Sequence, residues 1–314
     1  AGALLGTAVG DALGMPVEGL SHANVRTYYK GIKEYRDDDQ RGDLGAGQWT
    51  DDTQMTFALV RALTDHPASP DAWPAAVADE YVALRPEARR WGETTTTAVD
   101  RLADGTPPAE AGVPDRPTDG AAMRAAPLGV WWAARDLDRE AAFEAIRPVL
   151  AVTHRHPAAL AAGWGQAVAV HTLLGWTPDA FDRAAFWERL VDATAWAEGR
   201  LDGDDRVSGR LEALADHLDA FPLNLGDACD GVGVRADEAW PFACAMVARR
   251  AHLLENTLLS GINVGGDADT TGAMMGAMLG ALHGWSAFPD EWGEGLEAFD
   301  RLEAEARALA GALS

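Results

Sequence analysis

Glycine recurs at every fourth position in two apolar segments near the two ends of the chain. The two runs are Gly2, Gly6, Gly10 and Gly14, and Gly272, Gly276 and Gly280. Glycine inside a helix costs up to about 1 kcal/mol relative to alanine, so a repeated stripe on one face requires a compensating contact. Close approach of two helix backbones provides such a contact. We therefore predict that helices from the two ends of the sequence pack together in the centre of the fold.

Helical patterns dominate the rest of the sequence as well. Apolar residues three and four positions apart predict helices over 54–64, 73–84, 121–135, 139–150, 158–174, 180–197, 208–219, 238–260 and 270–283. Clusters rich in Pro, Gly and Asp separate these segments, and alternating runs typical of strands are almost absent. No low-complexity linker divides the chain. The sequence predicts one all-α domain over 1–314.

The charge of the chain excludes some functions. With 26 Lys and Arg against 49 Asp and Glu, the formal net charge is −23. This argues against binding nucleic acid or an anionic membrane through a basic surface. The uncharged stretches 158–176 and 271–288 are long enough to raise the question of a membrane span. Their Ala and Gly content and the lack of basic flanks favour buried central helices instead.

Cysteine usage and the first residues point to a reducing compartment. Cys229 and Cys244 are the only cysteines, and they give neither a disulfide framework nor metal-ligand spacing. The segment "AGALLGTAVGDALG" lacks the basic region of a signal peptide and carries Asp11 inside its apolar run. We expect a cytoplasmic protein, and we expect Asp11 to bond neighbouring backbone amides.

Two distant motifs place carboxylates at predicted helix starts. "QWTDDTQMTF" at 48–57 contains Asp51 and Asp52, and "NVGGDADTTGAMMG" at 263–276 contains Asp267 and Asp269. Burying such carboxylates without a partner is unfavourable, so they either face water or hold a cation. If the two loops converge, carboxylate and threonine oxygens suit Mg²⁺ or Mn²⁺ better than Zn²⁺. Four carboxylates suit two ions about 3.5–4 Å apart.

A simpler interpretation exists for each motif by itself. Thr50 or Asp51 can cap a helix, with Asp52 in its first turn, and "GGDADT" is a common junction between a turn and a helix. The occurrence of both motifs beside small residues favours the metal site.

Several blocks, in order along nearly the whole chain, resemble the ADP-ribosylglycohydrolase family. They are "GALLGTAVGDALGMPVEG" at 2–19, "GQWTDDTQM" at 47–55, "TDGAAMRAAPLG" at 118–129, "THRHPAALAAG" at 153–163, "GVGVRADEAWPFA" at 231–243 and "NVGGDADTTGAMMGAMLGALHG" at 263–284. The combination is specific, whereas no single block is. The resemblance implies an orthogonal all-α fold with a central binuclear site for two Mg²⁺ or Mn²⁺ ions.

The resemblance also implies roles for individual residues. The metal ligands would be Thr50, Asp51, Asp52, Asp267, Asp269 and Thr270. Asp269 would bridge both ions, and Glu18, in "GMPVEG", matches an acid/base or gating residue beside the metals. The catalytic residues would be Glu18, Asp52 and Asp269. Taken by itself, the pattern around Glu18 favours a solvated loop carboxylate.

A second group of residues would bind the substrate. These residues are Thr118, Asp119, Gly120, Ala121, Met123 and His154. In "TDGAAMR", backbone amides from Gly120 onward can receive a pyrophosphate, although Thr118 and Asp119 can equally be helix caps. The carboxylate of Asp119 would repel a pyrophosphate unless its side chain turns back to cap the helix. His154 lies in the block that resembles the lining of the distal ribose.

The implied reaction is hydrolysis at C1″ of the terminal ribose in an ADP-ribose conjugate, on a protein or a small molecule. Water activated by one ion would attack, and Asp52 or Glu18 would guide it. The same site could instead act on O-acetyl-ADP-ribose or ADP-ribose 1″-phosphate. Two further alternatives are a catalytically silent ADP-ribose-binding protein and an unrelated all-α nucleotide phosphohydrolase, although the paired Glu-rich helices or His-Asp dyads of the latter are missing.

Overall fold

A computed structural model of the protein describes residues 1–204 and 206–314. Its α-helices are α1 Gly2–Gly14, α2 His22–Asn24, α3 Asp51–Asp65, α4 Trp73–Leu84, α5 Glu93–Ala103, α6 Pro108–Ala111, α7 Gly120–Met123, α8 Ala126–Ala133, α9 Arg139–Leu150, α10 Pro157–Leu174, α11 Arg183–Arg200, α12 Arg206–Leu214, α13 Pro222–Ala228, α14 Ala236–Arg250, α15 Leu254–Ile262, α16 Ala268–His283, α17 Asp290–Gly295 and α18 Phe299–Leu313. Single helical turns of other types are Met15–Val17, Val25–Tyr29, Pro70–Ala72, Arg85–Glu87, Pro178–Ala180, Ala215–His217 and Trp285–Ala287. The described residues form no β-strand, only isolated bridges. The predicted all-α class is confirmed.

Helix boundaries differ most from the sequence prediction in two places. The segment 121–135 forms α7 and α8 rather than one helix. Pro127 lies in the first turn of α8, a position that proline favours. The segment 238–260 breaks at 251–253 into α14 and α15, although no Gly or Pro marks that break. The pattern analysis also missed α5 and α18.

Helices α1 and α16 pack antiparallel through their glycine faces. A Cβ atom added to any glycine of one stripe would overlap a backbone carbonyl of the other helix. The facing pairs are Gly2 with Gly280, Gly6 with Gly276, Gly10 with Gly272, and Gly14 with Ala268. The two backbones therefore touch, which only glycine permits. The predicted central contact between the two ends of the sequence is confirmed.

Long apolar helices enclose this pair. Helix α10 packs on α16, and Gln166 links them by donating to the carbonyl of Met274 at 3.1 Å. Gln166 also accepts from the indole of Trp240 in α14 at 2.9 Å. The stretches 158–176 and 271–288 fall mainly in α10 and α16, and both helices are buried almost throughout. Among the described residues, no helix combines the length and apolar character that crossing a membrane requires.

Substitution of Gly6 by alanine tests the glycine contact. The new methyl group would overlap the carbonyl of Gly276, so we expect Gly6→Ala to lower the free energy of unfolding by about 3 kcal/mol. Urea denaturation measures this change. Gly311→Ala in α18 is the matched control, because no atom lies near its added Cβ, and it should stabilise by up to about 1 kcal/mol. Equal unfolding midpoints for Gly6→Ala and the parent would contradict the close packing.

Candidate metal centre and ligand cavity

Helix α3 begins in the interior, where Asp11 of α1 caps it. The Asp11 carboxylate accepts hydrogen bonds from the backbone amides of Thr50 at 3.0 Å and Thr53 at 2.9 Å. It also accepts from the hydroxyls of the same threonines, at 2.9 and 2.6 Å. The first amides of a helix have no hydrogen-bond acceptor within that helix, so Asp11 of α1 provides one. The prediction that Asp11 bonds backbone amides is confirmed.

Two glycines fold the second acidic loop against its neighbours. Gly265 and Gly266 have φ values of +84° and +75°, and a Cβ on either would collide with a neighbouring carbonyl oxygen. The Gly266 amide donates to the carbonyl of Leu20 at 2.8 Å, and the Asp267 amide donates to that of Val232 at 2.7 Å. These bonds set the direction in which α16 begins and in which Asp267 and Asp269 project.

The two acidic motifs meet in the interior. Carboxylate oxygens of Asp11, Asp52 and Asp269 lie within 4.8 Å of one another. Oδ2 of Asp52 accepts from the hydroxyl of Thr50 at 3.2 Å and from that of Thr270 at 3.3 Å. Residues from opposite ends of the chain therefore surround one point, as the metal interpretation requires.

Further carboxylates extend the cluster toward the cavity. Asp51 is partly exposed at the cavity wall and accepts a hydrogen bond from the amide of Gly92. Asp267 contacts the carboxylates of both Asp119 and Asp269. We call Asp11, Asp51, Asp52, Asp119, Asp267 and Asp269 the acidic cluster.

Burial perturbs the titration of these groups. Burial, together with neighbouring carboxylates, raises the pKa of Asp52, Asp267 and Asp269 well above the ordinary value. Burial raises the pKa of Asp11 to about 6, although its hydrogen bonds from Thr53 and Thr50 act in the opposite direction. In the described part of the chain, no Lys or Arg forms an ion pair with the cluster.

The arrangement fits a hard divalent cation. Oδ1 of Asp52 is buried without a hydrogen-bond partner, and so is Oδ2 of Asp119. A cation would satisfy such oxygens and offset the repulsion between the carboxylates. All the available donor atoms are carboxylate or hydroxyl oxygens, which Mg²⁺ and Mn²⁺ prefer.

The alternative interpretation of these residues as helix caps is confirmed in part, since Asp52 lies in the first turn of α3 and "GGDADT" joins a turn to α16. Capping by the side chains of Thr50, Asp119 and Asp267 is not observed. Thr50, Asp119 and Asp267 do occupy the positions that precede α3, α7 and α16, but none of their side chains makes a capping hydrogen bond. The side chain of Asp119 lies against Asp267 instead of turning back onto its helix. Its carboxylate therefore belongs to the acidic cluster.

A cavity of 320 Å³ opens onto the acidic cluster. Its acidic end is lined by Glu18, Asp51, Asp119, Asp267, Asp269 and Thr270, and its other end by Thr118, Gly120, Met123 and His154. Ala121 of the predicted substrate set lies behind this wall, against Gly163. Thr50 and Asp52 lie deeper, beneath the acidic end. Larger cavities occur elsewhere, such as one of 860 Å³ beside Trp285, but they do not include the acidic cluster.

Two arginines that sequence reasoning missed hold Glu18 at the cavity. Oε2 of Glu18 accepts from Arg41 at 2.7 Å and from Arg90 at 3.3 Å. Arg90 has a φ of +56° and also pairs with Asp38 and Asp43. These residues come from three separate loops, so no local sequence pattern signals their association.

The described cavity wall also includes residues outside the predicted sets. Thr94 and Thr95 line it from α5, and Arg116 and Val234 lie at its rim. Arg116 is paired with the exposed Glu93. Since α5 was not predicted, its contribution to the cavity was missed with it.

Comparisons with known proteins agree with this architecture. The family model described as ADP-ribosylglycohydrolase matches residues 1–314. An uncharacterised protein from Archaeoglobus fulgidus is 31% identical over 98% of this chain and 94% of its own length. The ADP-ribosyl-[dinitrogen reductase] glycohydrolase of Rhodospirillum rubrum is 28% identical, over 99% of this chain and 94% of its own. A solved structure described as an ADP-ribosylglycohydrolase-related protein complex superposes with a TM-score of 0.77 at 28% identity, covering 100% of this chain and 97% of its own.

The pH dependence of stability tests the acidic cluster. Each clustered carboxylate with a raised pKa contributes stability that is fully present below its ordinary pKa of 3.8 and is lost as pH rises through the folded pKa, about 6 for Asp11. In EDTA, we expect the free energy of unfolding to fall as pH rises from about 4 through about 6, the interval set by Asp11, and the other carboxylates with raised pKa act in the same direction. Mg²⁺ should restore more stability at the upper end of the pH range than at the lower end, because a cation binds the ionised form of its carboxylate ligands.

Thermal unfolding in EDTA and in excess MgCl₂ across this pH range measures the effect. Asp52→Asn removes one buried charge. It should therefore reduce both the loss of stability with rising pH in EDTA and the stabilisation by Mg²⁺. Asp65→Asn, at the exposed end of the same helix, is the control and should behave as the parent. If Mg²⁺ leaves the unfolding temperature of the parent unchanged at every pH, the metal interpretation is contradicted.

Proposed function

Because the chain belongs to the ADP-ribosylglycohydrolase family, and is thus a hydrolase acting on ADP-ribosyl groups, we propose that it cleaves the C1″ bond of ADP-ribose conjugates with the help of two divalent cations. The released product is ADP-ribose. The acidic cluster and the adjoining cavity are the site of this reaction.

One observation carries the proposal. Carboxylates from α1, α3 and α16 converge in the interior, and the described residues place no basic side chain among them. Asp52 is 1% exposed and Asp269 is 3% exposed, so water does not solvate their charges. A fold that needed only stability would replace such a cluster with apolar or paired groups. Retention of the charges supports a role in binding cations beside a substrate cavity.

The cluster residues have distinct positions relative to the cavity. Bound Mg²⁺ or Mn²⁺ would supply Lewis acidity, fixing the ribose hydroxyls and lowering the pKa of a water molecule. Asp51, Asp267, Asp269 and Thr270 line the cavity, whereas Thr50 and Asp52 support it from beneath. We assign all six to cation binding, and Asp269 would hold cations from the second motif beside Asp52 of the first.

Glu18 is better placed than Asp52 to guide the attacking water. Its carboxylate faces the cavity, and the two arginines hold it through Oε2 alone. Oε1 is then available to accept a proton from water as C1″ gains oxocarbenium character. Asp52 already accepts from two threonine hydroxyls below the cavity wall. We therefore assign the proton transfer to Glu18 and leave cation binding to Asp52.

The opposite end of the cavity would receive the rest of the ADP-ribosyl group. Thr118, Gly120, Met123 and His154 line this end and carry no negative charge. Asp119 lies beside Asp267 and would face the cations rather than the pyrophosphate. This placement removes the repulsion that Asp119 would otherwise exert on the phosphates.

The leaving group remains to be identified by assay. The Rhodospirillum relative is named for an ADP-ribosylated protein, so we propose a protein conjugate as substrate. Arginine-linked and serine-linked peptides, O-acetyl-ADP-ribose and ADP-ribose 1″-phosphate should be compared with Mg²⁺ and with Mn²⁺, and released ADP-ribose measured by mass spectrometry. Binding of ADP-ribose without turnover of any conjugate would instead indicate a catalytically silent binding protein.

Substitution within the site tests the assignment of roles. We expect Asp269→Asn to lower kcat/KM by at least about 10³-fold, because it weakens cation binding and transition-state stabilisation together. Glu18→Gln should lower kcat by about 10²-fold or more and leave the affinity for Mn²⁺ nearly unchanged.

Circular dichroism should show the same helix content in both variants and in the parent. Asp65→Asn is the control for the amide substitution and should retain the parent rate. Full activity of Asp269→Asn would rule out the cation mechanism, and full activity of Glu18→Gln would remove Glu18 from it.

A further inference from the structure

A fully buried arginine lies behind the uncharged end of the cavity. Arg124 is 0% exposed, and it pairs with no carboxylate in the ranges that the structure describes. One terminal nitrogen donates to the carbonyl of Gly120, and the other donates to the carbonyl of Leu150 at 3.1 Å and to Oγ1 of Thr153 at 2.6 Å. Burying a guanidinium without a carboxylate partner lowers the stability of a protein. Stability therefore does not account for Arg124, and we infer that its contacts serve the cavity.

The contact with Arg124 fixes the direction of the Thr153 hydroxyl. A guanidinium carries only hydrogen-bond donors, so Oγ1 of Thr153 accepts from it. The single hydroxyl proton must then point toward another acceptor. The described residues offer Nδ1 of His154, which lies 2.7 Å from Oγ1. Nδ1 therefore accepts, and in the neutral ring the proton resides on Nε2.

The Nε2 edge of His154 lies at the cavity. A Cβ atom added to Gly120 would lie 2.6 Å from Cε1 and 2.7 Å from Nε2 of the ring, so glycine makes room for this edge. His154 is 1% exposed and lines the cavity beside Gly120. Among the described residues, Nε2 has no hydrogen-bond partner. It is a buried donor directed at a space that a ligand would fill.

We propose that Arg124 and Thr153 are positioning residues that hold His154 in the Nε2–H tautomer, so that it donates a hydrogen bond to an oxygen of the bound ligand. The ligand class is one with phosphate or ribose oxygens. The identity of that ligand rests on the proposed function, whereas the tautomer does not. Burial, and to a lesser extent the charge of Arg124, lowers the pKa of His154 well below its usual range, which agrees with a neutral ring.

Variants at Thr153 separate this role from simple packing. Thr153→Val keeps the shape of the side chain but removes the hydroxyl, and Thr153→Ser keeps the hydroxyl. Thr194→Val is the matched control, because Thr194 is also fully buried and its hydroxyl bonds only within α11. Arg124→Met removes the donor that orients the hydroxyl.

Nitrogen-15 NMR of the histidine ring, assigned with His154→Gln, reports the tautomer without any ligand or metal. We expect Nε2–H in the parent, in Thr153→Ser and in Thr194→Val, and a shift toward Nδ1–H in Thr153→Val and Arg124→Met. Isothermal titration of ADP-ribose in EDTA should show affinity about tenfold weaker in Thr153→Val and restored in Thr153→Ser.

Two results would overturn the inference. One is Nδ1–H in the parent, and the other is an unchanged tautomer and ADP-ribose affinity in Thr153→Val. If Arg124→Met does not fold, the Thr153 variants still decide the matter. Failure of the parent to bind ADP-ribose would count against the proposed function instead, because the NMR measurement of the tautomer does not depend on that ligand.

Discussion

Contact between the backbones of α1 and α16 is the interaction on which the site depends. Because Gly10 and Gly14 let the helices touch, the end of α1 lies beside the first turn of α16. Asp11 therefore reaches the point at which Asp269 projects, and it holds the start of α3 through Thr50 and Thr53. A wider spacing between α1 and α16 would separate the acidic residues of three helices. The glycine stripe thus determines the geometry of the chemistry as well as the packing.

The acidic cluster works against the stability that this packing provides. Burial raises the pKa of Asp52, Asp267 and Asp269, so folding without cations disfavours their charged forms. The large apolar core and the hydrogen-bonded loop at Gly265 and Gly266 must offset this unfavourable free energy. Local rules of stability are commonly broken at functional sites and compensated elsewhere. Under the proposed function, binding of cations to the cluster would couple activity to folding.

Much of the fold and part of the site could be predicted from the sequence, for identifiable reasons. The glycine stripe and the acidic motifs are periodic or local patterns, and their physical consequences do not depend on the rest of the chain. Helix α5 was missed because "ETTTTAVD" contains successive β-branched residues with low helix propensity. The contacts of Glu18 with Arg41 and Arg90, and of Arg124 with Thr153, join separate segments. Only tertiary structure reveals such pairs.

The separation of the two acidic motifs along the chain has a consequence for biosynthesis. Asp52 and Thr270 are in contact although they are 218 positions apart in the sequence. While the middle of the chain is being synthesised, α16 does not yet exist, so the glycine face of α1 has no partner. The acidic cluster is therefore complete only after the second motif has been synthesised, late in the production of the chain.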